Sequence, residues 1–399
     1  MFEGGEDIHA LIFDPGQYSI RVGYAQEDTP RADIPAVIGV APEAKSNNTA
    51  SKPADQLKYY TDTTFLNISR ANSEMISYMN NGIIENWNLF EKMLDYCYAN
   101  VIQSSAENHP VFFTDAPLNP RVKREQLTEL MFEKYQVPAM YMATNAALAA
   151  FANGKFNALV LDSGASYTTA VPILDGLVIN NAVVKSPLAG DYITLKATEM
   201  LESMGIDLTP AHLIAMKEVV QDQEKPKFIK KTFTCPPTDS WMKYMTKRTV
   251  QDFQQTAIQI SATSPSHYEF PTGYNRLFNQ QHSQLTEGLF NHETLAVDKI
   301  VVTSISKCDL DVQPALYHSV VITGGNSLMK GFTERVEQEV RAKMPAAIKL
   351  KVRAVKGTTE RRFEAWTGGS ILASIGTFQQ LWVSKRHYEE VGKHRINTL

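Results

Sequence analysis

The stretch Ala158-Leu-Val-Leu-Asp162-Ser163-Gly164-Ala165-Ser166-Tyr-Thr-Thr169 decides the fold. Its first four residues are an unbroken apolar run, which is typical of a strand buried on both faces. The run ends in a carboxylate, a small hydroxyl residue and a glycine. A second β-type run then covers residues 167–171 and is closed by Pro172. We therefore predict a β-hairpin whose tight turn carries polar groups at the end of a buried strand.

A second stretch has the same design. Ala10-Leu-Ile-Phe-Asp14-Pro15-Gly16 is followed by Ser19-Ile-Arg21-Val-Gly23-Tyr, and the two aspartates are 148 positions apart (162 minus 14). A repeat of that length predicts two related α/β halves that face each other across a cleft. Such turns can offer backbone N–H groups to a phosphate and a carboxylate to hydrated Mg²⁺. The cleft is therefore a candidate nucleotide site.

Composition narrows the class of protein. With 399 residues the chain exceeds one ordinary hydrophobic core, so we expect two or more domains. The net charge of −4 gives no overall nucleic-acid signature. The three cysteines are scattered and odd in number, which favours a reducing compartment. No apolar run approaches the roughly 18 residues of a membrane helix, and the acidic residues 1–7 do not resemble a secretion signal. Cytoplasm or nucleus remains.

Two further stretches complete the predicted core around the hairpins. Residues 143–152 are rich in alanine and predict a helix that stops at Asn153-Gly154. Ser319-Val-Val-Ile-Thr323-Gly324-Gly325 predicts a third strand that runs into a glycine turn, followed by a helix with Phe332 on its inner face. Glycines at that turn allow close approach of a flat ligand, although tight packing explains them equally well.

Two segments differ from the rest in composition. Residues 41–57 contain almost nothing to bury and predict a mobile surface loop. Residues 221–248 carry seven lysines and arginines against three acids, several prolines, and the aromatic residues Trp241 and Tyr244. One interpretation is a solvated insertion with two anchoring aromatics. The other is a contact surface for an acidic partner or DNA.

Several common catalytic patterns are absent from the sequence. There is no P-loop, no Gly-x-Gly-x-x-Gly fingerprint, no Gly-x-Ser-x-Gly elbow and no zinc spacing among the nine histidines. Asp162-Ser163 has no histidine placed by sequence to activate the serine. The remaining chemical hypothesis is a nucleotide held between two Asp-containing hairpins, with its base near Gly324-Gly325.

This arrangement resembles the actin superfamily, and the resemblance covers nearly the whole chain except residues 41–75 and 221–266. It rests on several further runs: Gly82-Ile-Ile-Glu-Asn86-Trp87, Ala116-Pro-Leu-Asn-Pro120, Leu130-Met-Phe-Glu133, Pro138-Ala-Met-Tyr141, Leu188-Ala-Gly190, Lys307-Cys-Asp309 and residues 366–382. The resemblance implies an actin-like, duplicated ribonuclease-H-like ATPase fold, with two large α/β domains, each extended by a small subdomain, around a nucleotide cleft. It implies these boundaries: subdomain 1 at 1–35, 78–152 and 364–399, subdomain 2 at 36–77, subdomain 3 at 153–189 and 290–363, and subdomain 4 at 190–289 with an insertion near 221–266.

The resemblance also implies which residues hold ATP and Mg²⁺. The implied nucleotide contacts are Asp14, Gly16, Arg21, Asp162, Ser163, Gly164, Lys217, Glu218, Gly325 and Arg362, with Asp14 and Asp162 holding Mg²⁺ through water. The alternative is that the two aspartates persist only as turn formers.

Several departures from the actin pattern concern positions that actin uses to bind and hydrolyse ATP. Gln17 and Tyr18 stand where actin has a serine and a glycine against the phosphates, and Ala165-Ser166 replaces Asp-Gly. Asn145 is one methylene shorter than the actin glutamine that positions the attacking water, and Thr169 replaces a histidine. A deficit of about 1 Å at a positioning residue can cost roughly a hundredfold in rate. We expect ATP binding with little or no hydrolysis and therefore no enzyme activity.

Other departures concern assembly. Residues 41–60 do not resemble actin's subunit-contacting loop, and the apolar plug is reduced to residues 291–297, so no homopolymer is expected. Specific runs resemble the nuclear class called actin-related protein four, the actin-like subunit of BAF-type chromatin-remodelling complexes. They are Ser240-Trp241, Tyr244-Met245, Val250-Gln-Asp-Phe-Gln254, His267-Tyr-Glu-Phe-Pro271, Lys185-Ser-Pro-Leu-Ala-Gly190, Phe151-Ala-Asn-Gly154 and Glu360-Arg-Arg-Phe363.

That class implies a nuclear location and a set of partners: nuclear actin, the helicase-associated helix of a remodelling ATPase, other remodeller subunits and, in some organisms, histone acetyltransferase complexes. Residues 225–248 are a candidate contact for DNA or the nucleosome, and no membrane partner is expected. The partner helix would use an apolar groove, although ordinary core packing explains its members too. The groove positions are Phe151, Ala152, Gly154, Gly176, Leu177, Leu372, Ile375, Thr377 and Leu381. An active ATPase and a cytoplasmic cytoskeletal relative remain as alternatives.

Overall fold

The computed structural model describes residues 9–42, 57–233, 235–260, 265–279 and 281–398. The loop predicted at residues 41–57 lies mostly outside these ranges. The strands of the described chain, in order, are β1 Leu11–Pro15, β2 Ser19–Tyr24, β3 Ala32–Pro35, β4 Val37–Pro42, β5 Leu57–Tyr60, β6 Glu74–Ser77, β7 Met79–Asn80, β8 Ile83–Ile84, β9 Val111–Asp115, β10 Ala139–Thr144, β11 Ala158–Ser163, β12 Thr168–Leu174, β13 Leu177–Val178, β14 Val184–Ser186, β15 Ile214–Lys217, β16 Phe228–Lys230, β17 Ser266–Glu269, β18 Asn275–Phe278, β19 Val320–Thr323, β20 Val352–Arg353 and β21 Val383–Ser384.

The helices connect these strands and cover the sheets. In chain order the α-helices of the described ranges are α1 Asp62–Leu66, α2 Trp87–Tyr96, α3 Arg121–Glu129, α4 Asn145–Ala152, α5 Gly190–Ser203, α6 Asp239–Ala257, α7 Gln281–Glu287, α8 Val297–Ser306, α9 Gln313–Tyr317, α10 Phe332–Lys343, α11 Thr358–Arg362, α12 Glu364–Ala373 and α13 Lys385–Val391. None of the helices in these ranges has the length and apolar composition needed to cross a bilayer.

The first large sheet has the strand order β21-β10-β9-β1-β2-β3. Strands β1 and β2 form the first predicted hairpin, and β9 pairs in parallel with both β1 and β10. The sheet is parallel at its centre because its strands are apolar on both faces; every residue of β9 is buried. Phe13 stacks on Phe113 across two neighbouring strands, with ring centroids 4.9 Å apart. This half therefore has its own core.

The second large sheet repeats this plan. Its order is β13-β12-β11-β19-β20, with β14 added beside β12. Strands β11 and β12 form the second predicted hairpin, and β19 pairs in parallel with β11. Helix α10 covers it with Phe332, Val336 and Val340, all buried. Each half thus places an aspartate at the carboxyl end of a hairpin's first strand, and the predicted α/β architecture is confirmed.

Two smaller units extend the halves. Strands β4, β5 and β6 form a three-stranded antiparallel sheet beside the first half. The hairpins β15–β16 and β17–β18, with α5, α6 and α7, extend the second half. Helix α6 is 19 residues long, and its buried face includes Trp241, Met245 and Phe253. The interpretation of residues 221–248 as an insertion with anchoring aromatics agrees with the burial of Trp241, and α6, which begins within the segment, packs its apolar face inward.

Two local predictions are corrected. The helix predicted at residues 143–152 begins at Asn145, because Ala143 and Thr144 pair with β9 as the end of β10. The strand predicted to close at Pro172 continues to Leu174. Proline is tolerated inside this strand because β14 pairs only as far as Ala170 and the pairing with β13 begins at Ile173, while the Pro172 carbonyl still accepts from the Ile179 N–H over 2.9 Å.

Candidate nucleotide cleft and partner groove

The two hairpin turns and the β19 turn surround one cavity of about 110 Å³ between the halves. Seven of the ten predicted nucleotide contacts line it: Asp14, Gly16, Arg21, Asp162, Gly164, Gly325 and Arg362. The topology explains the convergence, because the carboxyl ends of β1 and β11 face each other where the two sheets meet.

Asp14 is held by two partners in this cavity. The Arg21 guanidinium donates to its Oδ2 over 2.8 Å, and the Thr114 hydroxyl donates to its Oδ1 over 2.5 Å. Arg21 also lies 3.6 Å from Asp33. Burial acts to lower the pKa of Arg21, but the charges of Asp14 and Asp33 outweigh it and the pKa is raised. Arg21 therefore remains a fixed cation in the cavity.

Asp162 lies in a less favourable environment for charge. Burial raises the pKa of its carboxyl to about 6, the nearby Asp14 charge adds to the rise, and Arg21 opposes it. The Asn145 amide donates to Asp162 Oδ2 over 3.1 Å. A cation bound between the two aspartates would relieve this repulsion, since both carboxylates would then face an opposite charge.

Backbone groups around the cavity suit phosphate. The N–H groups of Tyr18, Ala165 and Ser166 make no hydrogen bond to a backbone carbonyl within the described ranges, and all three residues line the cavity. Gly324 has φ of +89°, and a Cβ there would come 2.4 Å from Asp162 Oδ1. Only glycine fits this approach. At Gly325 a Cβ would meet nothing within 4 Å, so this residue borders open space.

These features fit a nucleotide phosphate chain with Mg²⁺. Unpaired N–H groups and Arg21 suit phosphate oxygens, and Asp14 and Asp162 suit a hydrated divalent cation. Within the described ranges no group of three or more His, Cys, Asp and Glu side chains converges on a metal position. The cation would therefore take its remaining ligands from phosphate and water.

Three predicted contacts lie elsewhere. Ser163 is fully buried, and its hydroxyl is used by Thr168, at 2.8 Å, and by the Asn326 amide, at 3.1 Å. Lys217 pairs with Glu269 over 2.6 Å at the surface. Glu218 is exposed beside it and, like Lys217, does not line the phosphate cavity. The hydroxyl of Ser163 thus organises the second hairpin.

The positions associated with turnover are poorly equipped for it. Asn145 uses its amide on Asp162, and its Oδ1 is buried without a hydrogen-bond partner. Thr169 is fully buried, and its hydroxyl likewise has no partner. A threonine hydroxyl cannot act as a general base near neutral pH. Neither side chain provides a base for an attacking water.

The sequence reasoning missed two residues that shape the cleft. Thr114 bonds Asp14 from the end of β9, a place that the parallel pairing of β1 with β9 could have indicated. Gln17 receives a hydrogen bond from the Gly82 N–H over 3.0 Å and donates to the Met79 carbonyl over 3.2 Å. The glutamine that replaces actin's serine therefore ties the first turn to the β7–β8 hairpin.

Helices α4 and α12 carry three of the predicted groove positions, Phe151, Ala152 and Leu372, and the two helices cross. A Cβ at Gly368 of α12 would come 2.1 Å from the Leu148 carbonyl oxygen of α4, so the two backbones are in direct contact. Helix α4 carries Phe151 and Ala152 and ends before Gly154, which has φ of +65°. Helix α12 carries Leu372, which is half-buried against the core of the first half.

Several of the predicted groove positions leave apolar side chains in solvent. Leu177 is 75% exposed and Leu381 is 54% exposed, while Ile375 is 39% exposed. Thr377 is exposed beside them. Leu177 follows an Asp175-Gly176 turn in which both residues have positive φ, as the tight β12–β13 hairpin requires. Core packing thus explains Leu372 in part and does not explain Leu177 or Leu381.

Phe156 is a further exposed apolar residue near Phe151 that the sequence did not single out. Its side chain is 61% exposed, its ring centroid lies 6.1 Å from that of Phe151, and its carbonyl accepts from the Gly176 N–H over 2.8 Å. It therefore connects the α4 end of the groove with the β12–β13 turn.

The basic segment at residues 225–248 is only partly free. Lys247 pairs with Asp191 over 2.7 Å, and Arg248 donates to Asn67 Oδ1 over 2.9 Å. Lys230 and Lys231 are exposed at the β15–β16 hairpin. Some positively charged side chains of the segment therefore make contacts within the fold, and others face solvent.

Comparisons with known proteins agree with this architecture. The actin family profile, described as Actin, matches residues 5–398. Actin-related protein 4 of Arabidopsis thaliana is 32% identical, over 98% of this chain and 98% of the relative. Actin-related protein 4 of Yarrowia lipolytica is 32% identical, over 98% and 95%. The SWI/SNF and RSC complexes subunit arp42 of Schizosaccharomyces pombe is 29% identical, over 98% of both chains. The chain therefore belongs to the actin family, within its actin-related protein 4 group.

Proposed function

We propose that this chain is a nuclear, non-enzymatic subunit of ATP-dependent chromatin-remodelling complexes, and of histone acetyltransferase complexes where these share it. Its membership in the actin-related protein 4 group supports the class, and the relative named as a SWI/SNF and RSC complexes subunit supports assembly with other remodeller subunits. In this proposal the function is to bind partners, and the residue types at Asn145 and Thr169 support it, because neither side chain can act as a general base near neutral pH.

The observation that carries the proposal is the exposure of apolar side chains at two of the predicted groove positions. Leu177 and Leu381 leave more than half of each side chain in solvent. Such a groove suits the apolar face of an amphipathic helix. The occupant is the helicase-associated helix of a remodelling ATPase, on which nuclear actin sits beside this chain.

In this proposal ATP with Mg²⁺ is a structural ligand. Arg21 and the free N–H groups of the two turns bind the phosphates, and Asp14 and Asp162 hold the cation through water. The phosphate chain and cation supply charge that both halves contact, so the ligand joins them. Asn145 and Thr169 provide no base, and we expect little or no turnover.

The chain does not form an actin-like polymer. Residues 291–296, where actin carries an apolar plug, form a short connection, and Lys299 donates to the carbonyls of His292 and Glu293 over 2.9 Å. The preceding Leu289 and Phe290 are buried. The apolar residues of this connection, Leu295 and Ala296, are partly and fully buried, so neither provides a large exposed apolar plug.

The exposed part of the basic segment provides a further contact. Lys225, Lys230, Lys231 and Lys243 face solvent. Their charge suits nucleosomal DNA or an acidic histone surface, in contacts that weaken as salt rises.

The proposal is tested by affinity purification of the tagged full chain from its own cells, with identification of the bound proteins. We expect actin and a remodelling ATPase, together with nuclear fluorescence of a tagged fusion. Absence of both proteins from the purified material, or a cytoplasmic fusion, would contradict the proposal and favour a cytoskeletal role.

A second candidate function, an actin-like ATPase, is favoured by Asp14 and Asp162 facing one cavity. It is tested by phosphate release from Mg-ATP. An actin-like rate that is lost in Asp162→Ala would support the ATPase and overturn the non-enzymatic assignment.

A further inference from the structure

Strands β15 and β16 form a hairpin whose hydrogen-bonded ladder continues beyond the strands themselves. At one end the Lys231 N–H donates to the Leu213 carbonyl over 2.8 Å, and at the other end the Glu218 N–H donates to the Lys227 carbonyl over 2.9 Å. We call residues 213–231 the basic hairpin. Its second strand, β16, lies within the part of the chain that does not resemble actin, so the resemblance assigns it no role.

The basic hairpin is fixed to the rest of the molecule. At its base, Leu213 and the following Phe233 pack in one cluster with the buried Trp241 of α6. Near its turn, the Gln223 N–H donates to the Asn275 carbonyl over 2.9 Å. A strand held in this way is preorganised, so a partner that pairs with it does not have to order it first.

One edge of the hairpin has no strand beside it. Among the described residues β16 pairs only with β15. The hydrogen bonds at the two ends of the ladder set its alternation, so the N–H groups of Phe228 and Lys230 point away from β15. Neither group donates to a backbone carbonyl outside the hairpin within the described ranges. Strand β16 therefore presents an unpaired edge.

The face of the hairpin beside that edge carries an apolar pair in solvent. Met216 and Ile229 are cross-strand partners, and each is 56% exposed. Because side chains alternate along a strand, Lys227 and Lys231 lie on the same face of β16 as Ile229. Lys227 lies 3.9 Å from Glu224. This arrangement suits a protein better than DNA, because phosphates bind the cations and leave the apolar side chains exposed.

The charge beside the apolar pair is positive. Lys230 and Lys231 are exposed, and the ion pairs of the hairpin among the described residues include neither of them. Burial lowers the pKa of the nearby His212, and the charges of Arg248 and Lys231 lower it further. The acidic residues of the hairpin are in and beside its turn, at the other end of the ladder: Glu218, Asp222 and Glu224. A partner at the β16 edge is therefore favoured if it is acidic.

We propose that the free edge of β16 binds an extended acidic segment of a partner protein, which adds to the basic hairpin as a third strand. This inference rests on the contact proposed above for the exposed lysines and assigns that contact to a peptide chain. Main-chain hydrogen bonds to Phe228 and Lys230 supply affinity. An apolar residue of the segment covers Ile229, and acidic residues on either side of it meet Lys227 and Lys231.

The order of residues in β16 defines a peptide probe. Facing residues 227–231, the added strand needs acidic side chains against the lysines and apolar side chains against Phe228 and Ile229. A fluorescent peptide with the central sequence Glu-Glu-Val-Val-Glu-Glu meets this pattern in either strand direction. We expect it to bind the full chain, measured by fluorescence anisotropy, and to protect the Phe228 and Lys230 N–H groups from hydrogen exchange.

Variants of the chain test the two kinds of side-chain contact. Ile229→Ser removes the apolar contact, and the double variant Lys230→Gln, Lys231→Gln removes the charge. Each should weaken peptide binding about tenfold, the second most clearly at low salt. The matched controls are Leu277→Ser, at a position 43% exposed on β18, and Lys243→Gln, at an exposed position on α6. Both controls should bind the peptide as the wild type does, and all variants should keep the wild-type thermal unfolding.

Changes in the peptide separate strand addition from simple charge attraction. Replacement of both valines by serine keeps the charge, and N-methylation of alternate backbone nitrogens keeps the side chains but removes hydrogen bonds to β16. Each change should weaken binding about tenfold. If either altered peptide binds as tightly as the parent peptide, or if Ile229→Ser binds it as the wild type does, the inference is wrong.

Nucleosome core particles distinguish failure of this inference from failure of the contact on which it rests. If these particles bind through Lys230 and Lys231 while the peptide does not bind, the contact of the exposed lysines stands and strand addition is overturned. If neither the particles nor the peptide binds, both the contact and the inference fail. Membership of a remodelling complex is measured separately, by the affinity purification described above.

Discussion

The cleft and the predicted groove differ in whether their key side chains already have partners within the protein. In the cleft, Arg21 pairs with Asp14, and Asn145 bonds Asp162, so the charged groups already have protein partners. In the groove, Leu177 and Leu381 remain mostly in solvent. The charged side chains of the cleft thus have partners within the molecule, although the N–H groups of Tyr18, Ala165 and Ser166 make no backbone hydrogen bond there, whereas the predicted groove positions leave apolar area that another molecule can bury.

The difference indicates where binding free energy is available. Further apolar burial in the groove contributes roughly 25 cal/mol per Å². A ligand in the cleft must instead compete with hydrogen bonds that exist without it. This division fits a protein that holds a nucleotide for structure and binds partners for function.

The largest expected effect comes from a substitution at Gly368, where α12 crosses α4. In Gly368→Ala the new methyl meets the Leu148 backbone at 2.1 Å, so the helices must separate. We expect a loss of about 4 kcal/mol in the free energy of unfolding, or failure to fold, measured by chemical denaturation. Gly376→Ala is the control, because a Cβ there meets nothing within 4 Å. Equal stability of the two variants would contradict the tight crossing.

The groove alone is tested by Leu177→Asp. A charge at this exposed position should weaken binding of the remodeller helix about a hundredfold, because the carboxylate would be desolvated in the interface. Thermal unfolding and nucleotide binding should not change. Leu195→Asp alters another exposed leucine, on α5, and should leave helix binding intact. Equal losses in both variants would place the binding site elsewhere.

The next prediction concerns Glu364, which lies at the start of α12, between the cleft and the predicted groove in the comparison made above. It is buried, accepts from the Asn153 amide over 3.1 Å, and burial raises its pKa to about 7. Between pH 4.5 and about 7, Glu364 is therefore protonated in the native state and ionised in the unfolded chain. The free energy of unfolding consequently falls as pH rises across that window.

In Glu364→Gln this fall should disappear, and stability above pH 7 should rise by about 2 kcal/mol, measured by denaturation at pH 5 and pH 8. The gain stays below the full linkage value because a neutral amide accepts the Asn153 hydrogen bond less strongly. Glu360→Gln changes an exposed glutamate nearby and should not alter the pH profile. If the stability of Glu364→Gln still falls as pH rises, other titratable groups cause the pH dependence.

The smallest effect concerns the cleft alone. Asp162→Asn should lower Mg²⁺-dependent ATP affinity about tenfold, because one of two cation-facing carboxylates is lost, while helix binding stays unchanged. Burial raises the pKa of Asp162 to about 6, so this variant should also remove a fall in stability between pH 3.8 and about 6. Calorimetry with and without Mg²⁺ measures the affinity, and Asp311→Asn at the surface is the control. If the Mg²⁺ dependence of ATP affinity is unchanged in Asp162→Asn, then Asp162 only helps to form the turn.

Local sequence predicted the two hairpins because an apolar run, an aspartate and a glycine specify a buried strand and its turn over a few residues. It did not predict the partners of the turn residues. Thr114 reaches Asp14 from 100 positions away, and the hydroxyl of Ser163 turns to Thr168 and Asn326. Those choices depend on which strands become neighbours.

Helix α6 shows the same limit at longer range. Its aromatic residues predicted anchoring, and Trp241 is buried as an anchor should be. The sequence contains no sign that the anchor lies on Leu66, 175 positions away on the other side of the cleft. Such a contact depends on the closure of the two halves.

By itself, therefore, the sequence determined the duplicated α/β plan, because that plan follows from residue type and local pattern. Its resemblance to actin in turn implied that Asn145 and Thr169 replace residues that act on the attacking water. Only the tertiary structure decided that Arg21 pairs with Asp14, that Leu177 stays exposed, and that α6 spans the cleft. The physical reason is that hydrogen-bond partners, burial and charge environment depend on distances between segments far apart in the chain. These distances exist only once the two sheets have packed.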